Sequence, residues 1–458
     1  MNHPRRFGGR HRRLGKVAVA TMAVIGLGVA VTACAPGSSS SDTTSAAAAT
    51  QAVSTTLGTE PITLTMYDGQ GLKKLDEALI AGFQKQYPNV TITGTWDPDD
   101  VTTQNQPRQL ASATPPDLVR LISVTDAVKN GLVTNLDPYA KAYGWDQLPA
   151  SQLVQFRVSA DNVAGSGSLY AKPSGFTMTG LYYNKALAQQ IGMTQPPASV
   201  DDLTTLLGKA KSAGLQPIMT GNQQGGAVLS YQLMLNTSMG VKPTSDWVFN
   251  VAGSTIDNPD SVKAATVLDQ WNKAGYLPEG VNGIDGSTAS GEFTKGTGVF
   301  YPSGNWDATT LTTSMPGNVG FMAMPPMTAG GDQAAMSDAA TAFGISAKST
   351  QKDAAAAFLN YLSSDAARQA AIDAGFMPSG TASQPAPTIP AGSVLNDVQT
   401  AFQTVSAANG QVPFVQNATP GISNRAWNPE SQLLLDGQST PEQFVANVQK
   451  EYESELSR

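Results

Sequence analysis

The stretch Ile62-Thr-Leu-Thr-Met-Tyr-Asp-Gly-Gln-Gly71 alternates like a strand and ends in a turn. Leu72, Leu75, Leu79 and Phe83 follow at helical spacing, Tyr87-Pro88 stops that helix, and Val90-Thr-Ile-Thr-Gly-Thr-Trp96 alternates again. A βαβ unit of this kind implies a parallel sheet with a right-handed crossover, so the fold class it predicts is α/β.

Working outward, Pro115-Pro116-Asp117 leads into the apolar run Leu118 to Ile122, a third buried strand. Three strand ends then share one edge: Asp68 to Gln70, Trp96-Asp97, and Ser123. Ligands of open α/β sheets collect at the carboxyl ends of strands, which makes these first-rank candidates. Asp117 precedes its strand and reads as a structural turn or cap. The alternation restarts after Tyr183: a helix begins at Asn184-Lys185, Asp201-Asp202-Leu203 opens another, and Gln216 to Asn222 reads as a strand and polar loop. Gly298 to Tyr301 is an apolar strand that delivers Ser303-Gly-Asn-Trp306 into a loop, and Val319 to Met324 is another. Thr350-x-x-Asp353 has the form of a capping box ahead of the stripe Ala354, Ala357, Phe358, Tyr361 and Leu362. Trp271 sits on a helical stripe and reads as core. A second lobe is therefore expected.

Upstream of the body, six basic residues precede the apolar run Val17 to Val31, and Thr32-Ala33-Cys34 follows it. This is the layout of a secretory signal. Its fifteen apolar residues fall short of the ~20 a spanning helix needs, so a permanent membrane span is the weaker reading. Small residues before the only cysteine resemble a bacterial lipobox, with Cys34 lipidated as the new N-terminus; the alternative is an ordinary signal and a chance cysteine. Several acyl chains would anchor the protein to the outer face of the cell membrane. Arg12-Arg13 leaves a twin-arginine export route open. Residues 34 to 60, rich in Ser, Thr and Ala, read as a flexible tether.

Removing those six basic residues from a chain of net charge −7 leaves −13, the wrong sign for a nucleic-acid partner. Both histidines, His3 and His11, lie in the signal. A body without histidine excludes Ser-His-Asp triads, Cys-His nucleophiles and histidine-bearing metal sites, and no cofactor or metal is expected. Paired carboxylates remain as the main catalytic route, and Asp97 and Asp307, each beside a tryptophan, would be a glycosidase pair.

The order and spacing of Pro115-Pro-Asp-Leu-Val119, Gly131-Leu-Val133, Gly180-Leu-Tyr-Tyr-Asn-Lys185, Phe293-x-x-Gly296, Gly304-Asn-Trp306, Phe343-Gly-Ile-Ser346 and Gly375-x-x-Pro378 resemble the family 1 extracellular solute-binding proteins. These are the sugar-capturing subunits of ABC importers, the maltose-binding type among them. The resemblance spans roughly residues 62 to 455. It implies a periplasmic-binding-protein-like fold of two α/β lobes around a hinged cleft: 61–172 with 326–377 as lobe I, 173–325 with 378–458 as lobe II. It places the crossings near Lys172-Pro173, Met324-Pro325 and Phe376-Pro378. The closed form would deliver a sugar to membrane permease subunits, and the protein reads as a monomer and not as an enzyme.

A sugar presents an apolar C–H face and a rim of hydroxyls, so its site needs flat aromatic surfaces beside directional polar groups. The resemblance maps one stacking aromatic onto Trp306 and a second onto Trp427, with Arg425 beside it, and the polar residue after the first strand onto Asp68 or Gln70. Thr177 stands where some members place an acidic ligand residue. Trp96, Asp97, Ser123, Asn222 and Asn305 complete the expected ligand set. The same fold could instead hold a polyamine or polyol.

Overall fold

In the computed structural model, residues 53–457 are described, apart from Ser123, Ala382 and Pro420. The signal segment, Cys34 and most of the tether therefore lie outside the described residues, as does the expected ligand residue Ser123.

The opening βαβ unit is present because each apolar position has somewhere to go. Strands β1 (Ile62–Gly69) and β2 (Val90–Asp97) pair in parallel, and α1 (Lys73–Gln86) connects them with Leu72, Leu75, Leu79 and Phe83 all buried. β3 (Leu118–Arg120) is parallel to β1 on its other side and shorter than the apolar run predicted. Asp117 has the structural role read from its position: its carboxylate accepts Thr65 N at 2.9 Å and the Ser349 hydroxyl at 2.6 Å.

The next two strands belong to different sheets. β4 (Lys172–Phe176) joins the first sheet, and β5 (Thr179–Asn184) immediately enters a second, where it pairs antiparallel with β6 (Phe300–Gly304) and β7 (Val319–Met322). The chain then returns as β8 (Ala339–Ile345), antiparallel between β3 and β4, and β9 (Met377–Pro378) closes the edge. The first sheet thus runs β9-β4-β8-β3-β1-β2, the second β6-β5-β7. Each has its own apolar cluster, one around Leu64, Phe83 and Phe358, the other around Tyr231, Trp247 and Trp427. A third, with Phe176, Tyr182, Phe321 and Phe402, lies where the chain passes between them.

Some expectations shift. The first crossing falls at Thr177-Met178, just past Lys172-Pro173. The second lies near Ser337-Asp338 and not at Met324-Pro325, because Met324 is sunk in the second lobe's core and β8 starts only at Ala339. Gln216 to Asn222 makes only a single bridge, Ile218 to Phe300. The capping box fails: the helix Lys352–Tyr361 starts after Gln351 with no side-chain cap, and Asp353 instead accepts the Tyr139 hydroxyl at 2.7 Å. Trp271 is core, its indole N–H given to Thr204. Among the described residues no helix is long and apolar enough to cross a membrane.

At the start of β4, Lys172 is fully buried, with Nζ 2.5 Å from the Ser363 hydroxyl and 5.6 Å from the Trp145 ring centre. Burial drives its amine down to about 7. Between that value and the ordinary lysine range the unfolded chain binds the extra proton, so this residue's contribution makes stability rise with pH across that window and weighs most against folding below it. Lys172→Met is expected to raise the melting temperature, by more at about pH 6 than at about pH 9, in paired thermal melts with wild type. An equal gain at both pH values would show that the amine is not desolvated.

Candidate functional site

The carboxyl ends of β1 and β2 bring Asp68, Gln70, Trp96 and Asp97 together, since Asp68 is in register with Trp96 and Gly69 with Asp97. Trp96 folds back over Gly94, two residues earlier on the same face of the strand: a Cβ on Gly94 would meet its ring at 2.1 Å. Its indole N–H is donated to Asp76 at 2.8 Å, and Lys73 Nζ stands 5.3 Å from the ring centre. Asp97 accepts the Tyr67 hydroxyl at 2.7 Å and the Asn105 amide at 3.3 Å. Burial, and next the Asp97 carboxylate, push the Tyr67 phenol up to about 12. Gln70 is exposed at the turn after β1, with no side-chain partner among the described residues.

Asp68 departs from its expected part. It is fully buried, and its carboxylate is occupied by Gly69 N at 2.6 Å, Arg120 Nη1 at 3.4 Å and the Thr341 hydroxyl at 3.4 Å. A strand-end carboxylate placed inside the lobe must be paired with a cation or hydrogen-bond donors, and here both are supplied from β3 and β8.

On the second lobe, the end of β6 presents Asn305-Trp306. Trp306 is 51% exposed, a large apolar side chain left on the surface, and it too lies over a glycine: a Cβ on Gly304 would meet its ring at 2.3 Å. Its indole N–H has no protein acceptor among the described residues. Asn305 is instead a structural pin. Buried, it accepts Met178 N at 2.8 Å and donates to the Gly375 carbonyl at 2.5 Å, so both amide atoms are taken by the crossing segments. Thr177 is likewise used within the hinge, exchanging bonds with Asp338 through its backbone at 2.8 Å and its hydroxyl at 3.0 Å.

Three other expected residues are drawn elsewhere. Trp427 has no exposed surface; its ring packs on Tyr231, Trp247 and Phe444 and its N–H goes to the Val415 carbonyl, so it is core and not platform. Arg425 points to the last helix (Pro441–Leu456), 3.6 Å from Glu451 and 3.8 Å from Glu455. Asn222 is buried, bonded to Asn282 and accepting Ala227 N at the start of the helix Ala227–Ser238. As for the hydrolytic pair, Asp307 accepts from Tyr301, Ser303 and Ser290, as Asp97 does from Tyr67 and Asn105.

The sequence reading missed Asp76, Arg120, Ile122 and Asp338. Asp76 and Arg120 had a signal, since a charged residue within an apolar stripe or strand is a buried partner in waiting. Ile122, 41% exposed just past β3, lay hidden inside an apolar run. Asp338 is pushed up to about 7 by burial despite bonds from Phe414 N and the Asn417 amide.

The model of the bacterial extracellular solute-binding proteins matches residues 68–369, from the end of β1 to past β8 and including the whole second sheet. The chain belongs to that family. A curated relative of this solute-binding protein, a probable sugar-binding periplasmic protein of Mesorhizobium japonicum, is 26% identical over 189 residues, 40% of this chain and 42% of the relative. The chain thus spans about two fifths of that relative's length. A family 1 extracellular solute-binding protein from Bifidobacterium longum subsp. infantis has the same two-lobed fold, with a TM-score of 0.69, 20% identity, and coverage of 86% of this chain and 100% of that one. A structure from a study of xylan utilization by the thermophile Caldanaerobius polysaccharolyticus gives 0.63, at 25% identity over 85% and 100%.

Trp306 and Trp427, two of the tryptophans in the solute-binding protein's second lobe, should separate cleanly. Trp427→Ala is expected to cost ~3–5 kcal/mol of stability, as large cavities do, and Trp306→Ala under about 1 kcal/mol, read as urea midpoints at constant slope. A large loss in Trp306→Ala would show that its ring is part of the core.

Proposed function

We propose that this protein is the lipid-anchored sugar receptor of an ABC importer, taking a mono- or oligosaccharide between its lobes and passing it unaltered to permease subunits in the membrane. Trp306 carries the reading: a half-exposed indole over Gly304, just past the end of β6, with no protein acceptor for its N–H among the described residues. An exposed ring face suits the apolar side of a pyranose, and its N–H suits a hydroxyl. Gln70, Asp97 and Trp96 on the first lobe would face the same ligand with amide, carboxylate and indole, and Ser123 would add a hydroxyl. The name of the Mesorhizobium relative, a sugar-binding periplasmic protein, supports this substrate class. Asp68, Asn305 and Thr177 would serve by holding the lobe edges and crossings in place.

A thermal-shift screen of residues 34–458 against galactose, maltotriose and xylotriose tests the substrate class. A bound sugar at a hundred times its Kd adds ~2.7 kcal/mol, enough to raise the melting temperature visibly. Trp306→Ala should weaken calorimetric affinity for the responding sugar about tenfold or more, equivalent to ~1.4 kcal/mol. No shift with any sugar, or unchanged affinity in Trp306→Ala, would count against the reading.

Anchoring is part of the same proposal. Cys34 would be acylated after removal of residues 1–33, and the Ser/Thr/Ala-rich stretch would space the body from the bilayer. Cys34→Ser should move the protein from the membrane pellet to the soluble extracytoplasmic fraction; retention in the pellet would point to a different anchor.

A further inference from the structure

Beneath the Trp96 indole lies a carboxyl group with unusual surroundings. Asp76 stands in the first turn of α1, fully buried on the same stripe as Leu72, Leu75, Leu79 and Phe83. Its Oδ2 accepts the Trp96 N–H at 2.8 Å, and its Oδ1 is buried without a hydrogen-bond donor. The neighbour within hydrogen-bonding reach is the carboxyl of Asp68. Two buried carboxyl groups can sit together only if one of them keeps a proton, because two anions there repel and neither is solvated.

The surroundings decide which one keeps it. Asp68 receives the Gly69 N–H, the Arg120 guanidinium and the Thr341 hydroxyl, all of which favour its anion. Asp76 has only the indole N–H. The charged groups that face it are Asp68 from β1 and Arg120 from β3; on its own helix, Lys73 stands near the Trp96 ring. Burial first, and the Asp68 charge second, push the Asp76 carboxyl well above its ordinary range. The start of α1 favours an anion at this position, but that effect is weaker than the repulsion between two adjacent buried carboxylates.

We propose that Asp76 is a positioning residue: as a neutral acid it donates to Asp68 and accepts from Trp96, locking the indole across Gly94 so that a ring face is preset for sugar at the edge of the first lobe. The inference rests on the sugar-binding reading for its purpose, not for its chemistry. Such a ring would need no ordering on binding, which removes a cost from association. Ionising Asp76 would break the donor bond to Asp68 and set two buried anions side by side. Although the Trp96 N–H bond itself favours the anion, the pair's geometry that seats the indole holds below the Asp76 pKa and changes as pH rises through it.

The experiment follows the indole N–H resonance of Trp96 in the ¹⁵N-labelled mature chain, identified by its absence in Trp96→Phe. In wild type it should move as pH rises through the Asp76 pKa, which burial and the Asp68 charge lift above the ordinary carboxylate range. Asp76→Asn keeps an acceptor for Trp96 and an N–H for Asp68 but has no proton to lose. Its resonance should stay near the neutral wild-type position at every pH, while Asp76→Leu shifts it. With xylotriose as calorimetric probe, Asn should restore most of the affinity that Leu lowers, by about tenfold. An Asp76→Leu indole resonance coincident with wild type, or an Asp76→Asn resonance that moves with pH as wild type does, would overturn the proposal. If Asp76→Leu does not fold, the comparison of wild type and Asn across pH decides alone. Xylotriose that binds no form of the protein would speak against this sugar only, because the resonance needs no ligand.

Discussion

The return of β8 into the middle of the first sheet is the constraint on which the rest of the molecule depends. Phe343 pairs with Arg120 on one side and Lys172 on the other, so the first lobe is incomplete until the chain has built most of the second and come back. That fixes the lobes to each other through crossings that cannot slide without breaking ladder bonds. It also imposes long-range pairing on the folding reaction, which slows the search. The third apolar cluster, with Phe176, Tyr182 and Phe402, is the physical join that these crossings create.

Polar groups near the crossings and strand ends are mostly spent on that architecture. Thr177 with Asp338, Asn305 with Met178 and Gly375, and Asp68 with Arg120 all satisfy one another inside the protein. This is what burial requires, since an unpaired polar atom in a low-dielectric interior costs more than a paired one contributes. Groups left over at the edges, Gln70, Ile122 and Trp306, are correspondingly few, and each is exposed.

Much of the fold was legible because periodicity reports burial directly: the stripe Leu72 to Phe83 and the alternation in β1 and β2 could serve only one packing. The crossings were misplaced because they depend on where β8 pairs, and strand pairing between distant segments leaves no local trace. The site was less legible for a different reason. Trp306 and Trp427 each follow a polar stretch, Ser303-Gly-Asn305 and Asn424-Arg-Ala426, yet one is half exposed and the other has no exposed surface. Indole chemistry is the same in a core and on a surface, so only tertiary packing tells them apart. Asp76 was visible as a carboxylate within an apolar stripe, but the stripe was read by its hydrophobic members alone.

Both surface-directed tryptophans rest on a glycine two residues upstream, Gly94 for Trp96 and Gly304 for Trp306. The bare backbone there is a seat whose shape belongs to the glycine, not to the ring. Change can therefore reach the exposed aromatic surface without touching an aromatic residue. A single methyl group at either seat would unseat the indole above it, so drift at these two codons would reshape the two lobe edges while leaving the cores beneath them as they are.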